Sequence, residues 1–152
     1  MLSPTQILAL MPQRPPFLFV DELLEVDAEH AVGRYTFPPE ADYYRGHFPG
    51  RPVTPGVILI EALCQVGLVA LGIYLGAADG ASGEGLLTLF TNVDVEFARL
   101  VRPGETVTVH ARKRYWRMRK LQAEATMRAA DGAVVCSGTV AGMAVAAARV
   151  AP

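Results

Sequence analysis

The stretch YYRGHFPGRPVTPGVILIEALCQ, residues 43–65, carries one histidine and one glutamate, His47 and Glu61, in an apolar, proline-rich setting. An imidazole titrates near neutral pH and can take a proton. A carboxyl desolvated by apolar neighbours keeps its proton to higher pH and can give one. Together they suit general acid–base chemistry. Pro49, Gly50, Pro52 and Pro55 pin the loop that bears His47, which is how a base is held in place. Pro55-Gly56 closes that loop where the apolar run begins. The first amides of a helix lack internal partners and sit at the positive end of its dipole, so the Gly56 amide can hold a developing oxyanion. Glu61 follows about 7.5 Å further along the helix axis, and its side chain leans back toward the N-terminus. A buried carboxylate is costly without a partner or a task. The residues alone leave two readings open: a catalytic pair, or a loop histidine and a helix carboxylate satisfied within the fold.

The elements that must position these groups follow from pattern. Ser3-Pro4 makes an N-cap and N1 pair for a short amphipathic helix to Met11. FLFVDELLEVD and HAVGRYTF read as strands, followed by the Pro/Gly loop and one long helix, then a flexible GAADGASGEG. TVTVHARKRYWR and LQAEATMRA alternate apolar and polar residues, and Asp131-Gly132 turns the chain into AVVCSGTVAGMAVA. Strands in direct succession with one all-apolar helix argue for an antiparallel sheet, not βαβ units. The economical arrangement is α+β, one curved antiparallel sheet wrapped around the helix in a single domain spanning residues 1–152.

Composition bounds the function. With 152 residues, half of them hydrophobic, the chain can bury a core. A net charge of −1 argues against a surface built for nucleic acid. Residues 57–75 are long and apolar enough to span a bilayer, but Glu61 and Gln65 interrupt them, and a buried core helix is expected. Cys64 and Cys136 read as buried core thiols, and no metal-binding spacing is present. His30 and His110 fall in an exposed loop and on a polar strand face, as solvated or structural residues. No signal peptide is visible, so a cytoplasmic protein is expected.

GHFPGRPVTPGVILIEALCQ resembles the signature of the β-hydroxyacyl-acyl-carrier-protein dehydratases, the FabZ type of the hot-dog fold. MPQRPPFLFVDELLEVD is similar to that family's N-terminal region, NVDVEFARLVRPGETVTV to a later segment, and RYWRMRKLQAEATM with DGAVVCSG to its last hairpin. Gln13 and Pro15 depart from the family's usual His and Tyr. The resemblance implies that His47 takes the Cα proton of a 3-hydroxyacyl thioester and that Glu61 helps the β-hydroxyl leave as water. Gly56 would hold the thioester carbonyl, and Gln65 would orient the carboxylate. Phe90 is the expected aromatic gate of the acyl tunnel. No metal or organic cofactor is implied, because the thioester already acidifies Cα. The histidine of one subunit would face the carboxylate of the other, so a homodimer is expected, and the resemblance also implies a trimer of such dimers.

The substrate's carrier is implied to be an acyl carrier protein. RKRYWRMRK, residues 112–120, holds six basic residues in nine. It reads either as a solvated strand edge or as a dock for that acidic carrier through Arg114 and Arg117, extended by Arg99 and Arg102. Rival functions are a FabA-type dehydratase-isomerase, disfavoured because that group carries aspartate where Glu61 stands, and a thioesterase, whose pattern differs. A non-catalytic carrier-binding subunit is disfavoured because both His47 and Glu61 are present.

Overall fold

The computed structural model describes residues 1–81 and 85–150. A short helix, α1 (Pro4–Leu10), opens the chain and carries the expected Ser3 cap, with Gln6 completing a capping box. Strands β1 (Glu22–Val26) and β2 (His30–Thr36) follow, then one helical turn, α2 (Tyr43–Gly46), which ends at His47. The central helix runs Gly56–Ala78. Strands β3 (Leu86–Phe97), β4 (Thr106–Arg117), β5 (Lys120–Ala129) and β6 (Val134–Ala146) complete the chain. All pairs are antiparallel, in the order β1-β2-β4-β5-β6-β3. The expected sheet around one helix is therefore present.

The central helix is long and apolar enough to cross a membrane, yet the sheet encloses it: residues 62–71 are all buried. Val66, Leu68, Val69 and Leu71 pack against Val107, Val109, Ala111, Leu121 and Met127 from the inner face of β4 and β5. Its middle, Gln65–Ala70, is wound as a π-helix, a local widening often found at functional positions. Cys64 and Cys136 are buried free thiols, and burial pushes both above the ordinary thiol range, Cys136 to about 11.

Several expectations change. Residues 17–21 are not the start of a strand, because the backbone of Phe17 and Phe19 bonds to the Gln65 side chain instead of a ladder. They form a strap across the central helix. The run 112–120 is not one alternating strand: a bulge between Lys113 and Tyr115 breaks β4, and the chain turns at Met118-Arg119. Residues 86–97 form a full strand, β3, that is absent from the expected elements. His30 begins β2, bonded to both Glu25 and Asp27, rather than lying in a loop. The flexible segment expected at 76–85 is helical to Ala78; residues 82–84 of it lie outside the described residues.

β3 lies on β6 with no room for a side chain at Gly138, where a Cβ would stand 1.9 Å from the Asp94 carbonyl oxygen. Gly138→Ala must push backbone aside, and is expected to lower stability by roughly 1–3 kcal/mol. A shifted urea unfolding midpoint checks this.

Candidate active site

His47 is held from several sides. Its amide donates to the Tyr43 carbonyl (3.0 Å), and its own carbonyl accepts from Val53 N–H (2.9 Å). Phe48-Pro49-Gly50-Arg51 closes as a tight turn with Phe48 and Arg51 bonded to each other, and Gly50 supplies the φ of 70° that such a turn needs. Below it, the buried Thr54 shares a 2.6 Å hydrogen bond with the Tyr44 hydroxyl, and its amide donates to the Val101 carbonyl. The imidazole Nδ1 lies 2.7 Å from the Val53 carbonyl oxygen. A carbonyl only accepts, so Nδ1 carries the hydrogen, and Nε2 of the neutral ring keeps its lone pair. The His47 ring stacks on Phe48 at 4.1 Å.

Gly56 begins the central helix beneath the Phe97 ring, which would lie 3.2 Å from a Cβ there. The Pro55 carbonyl accepts from Ile58 and Leu59, and among the described residues the Gly56 and Val57 amides have no acceptor. They are the free donors expected at a helix start.

Glu61 is half-buried one turn before the π segment. Burial raises its pKa above the ordinary carboxyl value, against a smaller opposing effect from the Gln65 hydrogen bond. Gln65 is fully buried and fully used: Nε2 donates to Glu61 Oε1 and to the Phe17 carbonyl, both at 2.9 Å, and Oε1 accepts from Phe19 N–H at 2.7 Å. It ties the carboxyl to the strap. Gln65→Leu is expected to orphan these strap groups at roughly 1–3 kcal/mol each and to free Glu61 to rotate. Urea unfolding together with turnover measures both effects.

His47 and Glu61 share no hydrogen bond within the described chain. Phe90 sits opposite Gly142, whose Cβ position lies beside Leu68, so it stands about 10 Å beyond Glu61 along the helix. It is part of a run of exposed apolar residues on β3, with Leu89, Val93 and Phe97.

The four arginines do not form one patch. Arg99 is tied to Glu105 (2.6 Å) and Asp131 (3.2 Å), and Arg114 to Glu124 (3.1 Å). Arg102 precedes β4 and Arg117 ends it, so the strand separates the pairs Arg99/Arg102 and Arg114/Arg117 by roughly 35 Å. The Val53 carbonyl, the Tyr44–Thr54 pair and Phe97 were not picked out from the sequence. Their roles depend on contacts across the fold.

A profile described as FabA-like domain matches residues 11–141. The chain belongs to the FabA-like family. It is 42% identical over 142 residues to a protein of Herpetosiphon aurantiacus named 3-hydroxyacyl-[acyl-carrier-protein] dehydratase FabZ, covering 91% of this chain and 94% of that one. A FabZ of Bacillus pumilus is 38% identical, covering 90% and 91%. Among solved structures, the dehydratase heterocomplex ApeI:P of Xenorhabdus doucetiae superposes with a TM-score of 0.79 at 12% identity, covering 99% of this chain and 96% of that one. A thioesterase of Haemophilus influenzae gives 0.67 at 13%, covering 97% and 93%. The FabA-like chain has the hot-dog fold, and the FabZ-type resemblance read from its motifs is borne out.

Proposed function

We propose that the protein is a 3-hydroxyacyl-[acyl-carrier-protein] dehydratase, a hydro-lyase working in the cytoplasm on acyl chains under construction. The FabZ names of relatives matching over nine-tenths of the chain support the substrate and reaction. The observation that carries the chemistry is the opposite preparation of two groups. Glu61 is favoured in its protonated form by burial, and His47 is locked through Nδ1 with Nε2 free to accept.

In the reaction, His47 Nε2 takes the Cα proton while negative charge moves to the thioester oxygen, held by the Gly56 amide. The Cα electron pair forms the new double bond as the C–O bond breaks. Glu61 gives its proton to the departing hydroxyl, which leaves as water. The imidazolium then returns a proton to the carboxylate, and both groups are reset. Gln65 keeps the carboxyl aimed throughout. Phe90, further along the helix, lines the path of the acyl tail.

The site takes two chains. Among the described residues no hydrogen bond joins His47 to Glu61 within one chain, and the twelve-residue β3 leaves an exposed, apolar sheet edge. Such an edge is covered by pairing, and a second copy across β3 brings the histidine of one subunit to the carboxyl of the other. A further trimer of such dimers is compatible with this edge pairing. Carrier docking falls to Arg102, exposed at the end where Gly56 opens. Arg99 is held in its ion pairs, while Arg114 and Arg117 belong to the far end of the same chain.

The test is mass spectrometry of 3-hydroxyacyl-acyl-carrier-protein incubated with the protein. Loss of one water, giving the 2-enoyl product, is expected. An unchanged substrate, or release of the free acid as a thioesterase would give, rejects the reading.

A further inference from the structure

Two buried hydroxyls beneath His47 are bonded to each other. Tyr44 and Thr54 are 6% and 3% exposed, and their side-chain oxygens meet at 2.6 Å. Neither hydroxyl has another partner among the described residues. An apolar pair would fill the same space with nothing to satisfy, and one bond between neutral hydroxyls adds little net stability. What such a bond does add is direction, because it forms only at one distance and angle.

Position gives that direction a use. Tyr44 follows Tyr43, whose carbonyl accepts the His47 N–H, and Thr54 follows Val53, whose N–H donates to the His47 carbonyl. The hydroxyl pair therefore clasps together the two segments that grip His47 from either side. The peptide unit between Val53 and Thr54 is the one that matters most. Its N–H donates to the Val101 carbonyl at 2.9 Å, and its C=O accepts from His47 Nδ1 at 2.7 Å. Because a peptide is planar, turning this unit moves both groups at once. The Thr54 side chain, held by Tyr44, stands at the pivot.

We propose that the Tyr44–Thr54 clasp is a positioning device for the base: it keeps the 53–54 peptide turned so that its carbonyl holds the His47 hydrogen on Nδ1 and leaves Nε2 to accept. With the clasp cut, the carbonyl is free to turn away. A neutral ring without that acceptor carries its hydrogen on either nitrogen, and a ring with Nε2–H cannot take a proton. The effect on rate rests on the dehydratase reading, whereas the effect on the imidazole does not.

NMR of the full chain labelled with ¹⁵N-histidine, beside steady-state kinetics and thermal melts, tests it. Tyr44→Phe and Thr54→Val each cut the bond and strand the other hydroxyl. The double variant removes both hydroxyls, so it should melt close to the wild type. Its kcat should nonetheless fall roughly tenfold to a hundredfold, the usual effect of a small misplacement, with KM little changed. The His47→Ala spectrum identifies the His47 signals, which should report Nδ1–H in the wild type and a mixture of both tautomers in the double variant. Thr54→Ser keeps a hydroxyl and should recover both the rate and the Nδ1–H signature. A double variant with wild-type kcat, or one whose His47 stays wholly Nδ1–H, overturns the proposal. So does a kcat loss that tracks the melting temperature and is not recovered by Thr54→Ser, which would leave the pair a structural role alone. A tautomer shift in the double variant of a protein whose wild type does not dehydrate would uphold the clasp and reject the reading of the reaction.

Discussion

His47→Ala is expected to lower kcat for dehydration by roughly 10²–10⁴-fold, the usual contribution of a positioned base. The loss should fall on kcat more than on KM, because the imidazole acts on the Cα proton and not on the carrier. The fold should survive: Nδ1 contributes one bond to the Val53 carbonyl, while the loop is also held by the Phe48–Arg51 turn, the Val53 amide and the Tyr44–Thr54 pair. Steady-state kinetics beside a thermal melt separate lost chemistry from lost structure. A variant that keeps most of its kcat would remove His47 from the mechanism.

Glu61→Gln is expected to cost a comparable factor, roughly 10²–10⁴-fold, because the amide has no proton to give the leaving hydroxyl. The same change should raise stability at neutral pH. Burial lifts the folded-state pKa of Glu61 above its ordinary value of 4.5. The folded chain therefore binds more protons than the unfolded one in that window, and stability falls as pH rises from the unfolded pKa through the folded one. The substituted amide carries no charge to desolvate and still offers Gln65 an acceptor. Wild-type turnover should also decline as pH rises through the Glu61 pKa, since the acid must be protonated. Melts of both proteins across that pH range, read beside the rate profile, show whether the lost activity and the gained stability share one cause.

The local part of the site was legible because it is local. His47, Gly56, Glu61 and Gln65 fall within nineteen residues, and loop restriction, helix start and helical spacing relate them without tertiary knowledge. What Gln65 holds was not legible, since Phe17 and Phe19 stand 48 and 46 residues away. The same contacts explain why FLFV, apolar and β-prone, lies as a strap: a buried amide side chain took the bonds a ladder would have supplied. β3 was only half legible: Asn92–Phe97 alternate polar and apolar residues, whereas Leu86-Leu87-Thr88-Leu89-Phe90 does not, and the register shift between Phe90 and Asn92 separates the two halves. The hairpin at Met118-Arg119 lacked the Gly or Asn that marks such turns, so the basic run looked like one strand and its arginines like one patch. The π segment has no sequence signature in this chain.

The most direct test of the central claim, a site shared between two subunits, mixes inactive chains. His47→Ala and Glu61→Gln proteins, unfolded together and refolded as random dimers, are each dead alone. If His47 of one subunit works with Glu61 of the other, half of the dimers are mixed and each carries one intact site, so roughly a quarter of wild-type activity should return. If the mixture stays as inactive as its components while mixed dimers are shown to form, the two residues do not act across the interface, and the account fails.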